Sequence, residues 1–130
     1  MNFTEAVANG FRNYGNSSGR AARSEYWYWS LFAVGVAIVG AVIDILAFPL
    51  WDIGPVGLVL GLATLLPDVA VSIRRLHDID RSGWWVLIIF TIIGIIPIVI
   101  WACTKGAAGP NRFGDDPLAG NALAGLPRTE

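Results

Sequence analysis

Charge is what this chain has least of. Asp, Glu, Lys and Arg together make up 15% of its 130 residues, against 55% hydrophobic. That balance is too apolar for an ordinary soluble domain of this length. A single cysteine, Cys103, excludes an intrachain disulfide, and the lone histidine, His77, cannot supply the several nitrogen or sulfur ligands of a zinc site. No glycine loop that could cradle phosphate and no nucleophile elbow occurs, so the sequence offers neither a metal nor a cofactor site. A formal charge of −1 gives nucleic acid no electrostatic foothold. A cleavable signal peptide also fits poorly, because the first apolar run starts only at Tyr26 and is too long.

What the chain does have is long runs nearly empty of charge, separated by islands of charge at residues 5–25, 74–81 and 105–130. The central island, Arg74-Arg75-Leu76-His77-Asp78-Ile79-Asp80-Arg81-Ser82-Gly83, runs into the pair Trp84-Trp85. Dense charge ending in tryptophans between apolar segments reads as a membrane-surface loop. Phe3, Val7, Phe11 and Tyr14 recur at helical spacing and predict a short amphipathic helix on the membrane, with Thr4 as its cap. Gly15 to Gly19 breaks that pattern, and the aromatics Tyr26 to Trp29 mark a membrane boundary. The pattern predicts an all-α integral membrane protein with three transmembrane helices at about 27–48, 54–73 and 84–103. The last of these carries no charge, and Pro97 is expected to kink it. Residues 118–130 are expected to form a disordered tail. With three spans, Arg12, Arg20, Arg23, Arg74, Arg75 and Arg81 share one side, and Lys105, Arg112 and Arg128 lie on the other. The positive-inside rule then makes the N-terminus and residues 74–83 cytoplasmic.

Small residues line one face of each of the first two spans: Ser30, Ala33, Ala37 and Ala41, and Gly57 and Gly61. Such faces let helices approach closely in lipid. A tight reversal near Trp51 would set Ala41 opposite Gly61, Ser30 opposite Ser72 and Glu25 near the depth of His77 and Arg74. On that register Gly61→Leu should destabilise more than Val59→Leu. Asp44 and Asp68 need partners at membrane depth, and Asp68 is expected to pair with Arg75, Arg20 or Arg23. The polar residues gather into one candidate interfacial cluster of Arg20, Arg23, Glu25, Asp68, Arg74, Arg75, His77, Asp78 and Arg81. Its arginines suit phosphate at headgroup depth, although membrane insertion alone accounts for arginines on that side. No serine or cysteine is placed to use His77 as a base, so no catalytic residue is assigned.

Three motifs resemble those of the DUF805 family of small bacterial inner-membrane proteins. They are Gly19-Arg20-Ala21-Ala22-Arg23-Ser24-Glu25-Tyr26-Trp27, then Pro67 with Arg74 to Asp78 and Arg81 to Trp85, and Asn111-Arg112-Phe113-Gly114-Asp115-Asp116-Pro117. Asp80 stands where many members have glycine. The resemblance implies a membrane domain over residues 1–117 and a multi-pass protein of the bacterial cytoplasmic membrane with no established activity. The expectation is a non-enzymatic structural or regulatory role. A component of a small-solute transporter or channel is the first alternative, and binding or processing of anionic lipid headgroups the second. The expected partners are the bilayer, its anionic lipids, and a second copy or another membrane protein. Three spans carry one difficulty: they set the tail motif on the opposite side from the other two.

Overall fold

The computed structural model describes residues 2–118 and is built from helices. They are α1 (Phe3–Arg12), α2 (Arg23–Ala47), α3 (Pro55–Asp78), a 3-10 helix (Gly83–Phe90) and α4 (Ile95–Cys103). Among the described residues the only β-type pairing is an isolated bridge between Asn111 and Gly114. The expected disordered tail lies, from residue 119 on, outside the described residues.

Helix α1 is capped by Asn2 rather than Thr4. The Asn2 side chain accepts from the Glu5 N–H at 2.8 Å, and the Glu5 carboxylate accepts from the Asn2 N–H at 3.2 Å. This reciprocal capping box starts the helix. Its apolar face does not simply rest on lipid but packs on α2. Gly10 lies so close to Trp29 that an added Cβ would sit 2.2 Å from the indole. Phe11 packs edge-on against Trp29 and Phe32 at 5.5 and 5.7 Å.

At 1.5 Å per residue, α2 and α3 are roughly 37 and 36 Å long, each exceeding a hydrocarbon core of about 30 Å. Only 6% of the apolar window of α2 and 17% of that of α3 is buried within the chain. Such exposed faces suit lipid, not water. Asp44, in the last turn of α2, caps the next helix: its two oxygens accept from the N–H groups of Val56 and Gly57 at 2.9 and 2.7 Å. A carboxylate at a helix N-terminus is favoured by both the free amides and the macrodipole. This clasp draws the start of α3 up beside Asp44 and shifts the register by about one turn from that expected. Gly40 stands against Gly57, where a Cβ would meet the Gly57 Cα at 3.2 Å. Ala37, Ala41 and Gly61 are exposed and, with Ala33, line a groove beside this contact rather than forming it.

Pro67 lies inside α3 and lacks the N–H that would bond the Ala63 carbonyl one turn back. The Tyr14 hydroxyl donates to that carbonyl instead.

The third expected span is not a continuous helix. The segment turns at Thr91–Gly94 and returns as α4. Pro97 causes no kink because it falls in the first turn of α4, where an N–H would have no intrahelical partner. Thr91 fixes the turn, its hydroxyl donating to the Ile88 carbonyl at 2.7 Å and accepting from the Gly94 N–H at 3.0 Å. The two legs run antiparallel. Trp85 lies 5.7 Å from Trp101, and the Arg81 guanidinium sits 4.5 Å over the same Trp101 ring. Legs of roughly 16 and 14 Å reach about halfway through a bilayer core. Residues 84–103 therefore begin and end at the same level.

Candidate functional site

The C-terminal turn of α3 supplies three buried charged side chains, Arg74, Arg75 and Asp78, each no more than 3% exposed. Arg74 faces α2. Its Nη1 donates to Glu25 Oε1 at 2.6 Å, and Asn9 of α1 donates to the same oxygen at 2.6 Å. One carboxylate thus joins three helices. The other edge of the guanidinium, Nε and Nη2, is buried with no hydrogen-bond partner among the described residues.

Arg75 faces the returning hairpin. It pairs with Asp78 and donates to the carbonyls of Ala21, Ala102 and Thr104. Asp78 also takes Arg20, whose Nη2 lies 3.0 Å from Oδ1. Arg20 in turn donates to the carbonyls of Ala107 and Gly109, the latter from a glycine at φ 73°. Three guanidinium groups therefore meet two carboxylates, and the surplus charge is spread over backbone carbonyl dipoles. These carbonyls satisfy donors that Arg20 and Arg75 have left after pairing, which offsets the cost of burying them.

The tail motif lies on the same side as the other two, which corrects the arrangement expected from three spans. The Ala107 N–H donates to the Asp78 carbonyl at 2.7 Å, and the Asn111 side chain donates to the His77 carbonyl at 2.8 Å. Phe113 stacks on the His77 ring at 3.9 Å and 3°. His77 Nδ1 donates to the Gly19 carbonyl at 2.8 Å, since a carbonyl can only accept. Asp116 closes the tail loop by accepting from the Leu118 and Gly109 N–H groups. Those two hydrogen bonds hold its carboxyl below the usual carboxylate range.

Not every residue of the expected cluster joins it. Arg23 is exposed and, among the described residues, reaches only the Cys103 carbonyl, at 3.4 Å. Arg81 stacks on Trp101. Asp68 makes none of the expected ion pairs and instead accepts from the Trp29 indole at 2.6 Å. Asp80 adopts φ 58°, a backbone conformation that favours glycine, and pairs at the surface with Arg112 at 3.3 Å. Sequence reasoning did not foresee Asn9, Asn111 or Phe113 as contributors. The last two lie within the tail motif, where a signal was available; Asn9 carried none.

A family model described as "Protein of unknown function (DUF805)" matches residues 14–115. The chain belongs to the DUF805 family. The matched region runs from Tyr14 to Asp115, within the tail motif, so it includes every ion pair of the buried cluster. Inner membrane protein YhaI of Escherichia coli K12 is 44% identical over 112 residues, covering 85% of this chain and 92% of that protein. Inner membrane protein YhaH of the same organism is 39% identical over 111 residues, covering 82% and 90%. No solved structure matches the DUF805 chain significantly.

Proposed function

We propose that this DUF805 protein is a non-enzymatic structural or regulatory component of the bacterial cytoplasmic membrane. In this reading α2 and α3 cross the bilayer, and residues 84–103 enter and leave on the cytoplasmic side. The observation that carries the reading is how the cluster uses its charges. Arg20, Arg75 and Asp78 face one another, as do Arg74 and Glu25, and all are buried. A general acid or base must instead reach a substrate atom. The cluster serves to lock the N-terminal segment, the end of α3, the hairpin and the tail into one body.

A lock and a catalytic centre respond differently to replacement of a whole pair. Removing one partner leaves a buried charge and should cost about 3–5 kcal/mol, whereas apolar replacement of both is often neutral or better. Glu25→Leu alone should lower the melting temperature in detergent. Glu25→Leu with Arg74→Met should restore it, and should rescue whatever growth phenotype a deletion strain shows. A double variant that folds but fails to complement would sink the non-enzymatic reading.

A further inference from the structure

We propose that the cavity between α3 and the 3-10 helix holds one anionic phospholipid of the surrounding membrane, at a site beside the arginine cluster. The cavity has a volume of about 510 Å³, within the range of small-molecule sites. Val69, Ile73 and His77 form one wall, four residues apart along a single face of α3 and so roughly 12 Å from end to end. Trp84 and Leu87 form the opposite wall. The Val69 end is hydrocarbon. The other end offers the Ser82 hydroxyl and His77, whose Nδ1 proton is committed to Gly19. Nε2 is then an acceptor without a hydrogen-bond partner among the described residues, on the Gly83 side, 3.4 Å from where a Gly83 Cβ would stand. A pocket apolar along its length and polar at one end fits an amphiphile, with the polar end at the level of the buried cluster.

The membrane names the class of occupant. Trp84 is 79% exposed and Leu87 51%, so the cavity opens on a surface that acyl chains cover. The charge at its mouth selects the headgroup. Phe113 closes the cavity beside His77, and the Arg112 guanidinium lies 4.6 Å over that ring. Its carboxylate partner among the described residues, Asp80, is solvent-exposed, and such pairs hold a guanidinium only weakly. Arg112 is thus free to meet a phosphate. A free phosphate or a soluble anion would have no use for the apolar wall.

Native mass spectrometry of the full chain, released from detergent with phosphatidylglycerol or phosphatidylethanolamine of identical chains, tests this. One lipid should survive activation that strips the rest, with about a fivefold preference for phosphatidylglycerol, the scale of one arginine at an anionic surface. Val69→Phe fills the apolar end and should abolish retention of both lipids, while Ile92→Phe at the hairpin tip should leave it unchanged. Arg112→Ala should remove the preference and keep the retention. Should Val69→Phe not fold, brominated phosphatidylglycerol must quench the wild type measurably more than Trp84→Phe. Absence of a retained lipid, equal retention of both headgroups by the wild type, retention unaffected by Val69→Phe, or equal quenching would each overturn the proposal.

Discussion

Asp78 is the residue on which the buried cluster depends most. It faces Arg20 and Arg75 together, and its carbonyl receives the Ala107 N–H. Among the described residues Glu25 faces one arginine only. Replacement of Asp78 by alanine leaves two buried cations without a counter-charge, so it should destabilise more than Glu25→Ala, by about 3–5 kcal/mol for each charge left unpaired. The loss should be local as well as global, because residues 104–116 dock onto this carboxylate through Arg20. Limited proteolysis of Asp78→Ala in detergent should therefore cut within 104–117 before the helices unfold. Equal protection of that segment in variant and wild type would refute the clamp. The pairing of Glu25 with Arg74 could be read from the sequence to within about a turn, because an antiparallel hairpin brings Glu25 near the depth of both His77 and Arg74. The role of Asp68 could not. Its partner is the indole of Trp29 on the neighbouring helix, and charge counting looks only for opposite charges.

At the scale of the helix, two substitution series separate the observed packing from the expected one. Gly40 meets the Gly57 backbone, whereas a Cβ at Gly61 would meet nothing within 4 Å. Gly40→Leu should overpack the hairpin by about 1–3 kcal/mol, and Gly61→Leu should lie near neutral. The reverse order in thermal unfolding would restore the register expected from the small-residue faces. That register failed because helix periodicity locates a face but not its offset along a partner. The offset is set here by Asp44 reaching two amides of α3. Pro67 offers a sharper test. Tyr14→Phe should leave the Ala63 carbonyl without a donor and cost about 1–3 kcal/mol. In a Pro67→Ala background the restored N–H can take that carbonyl, and the same substitution should then cost little. A double-mutant cycle that shows no coupling would mean that Tyr14 acts by packing alone.

For the whole molecule, the question is which side residue 117 occupies. Hydropathy made 84–103 the plainest of the three expected spans, because it carries no charge. Hydropathy does not register whether the backbone can stay helical, and the segment Thr91, Gly94, Pro97 breaks it. The aromatic residues could not supply the missing signal, because tryptophans at both ends suit a crossing span as well as a returning hairpin. It is the 5.7 Å approach of Trp85 to Trp101 that distinguishes the two. The distribution of charge agrees. With a returning hairpin, every lysine and arginine among the described residues, from Arg12 to Arg112, lies on the side of the cluster, and the 48–54 reversal has none. Under three spans Lys105 and Arg112 would oppose that bias. Fusions after residues 24, 53, 80 and 117 decide between the two arrangements. A fluorescent reporter that matures only in the cytoplasm should light at 24, 80 and 117, and a phosphatase active only outside should work at 53. The fusion at 117 carries the weight, because the other three sites give the same result either way. Phosphatase activity there would mean that residues 84–103 cross the bilayer, and the contacts of Arg20 with Ala107 and Gly109 could not form.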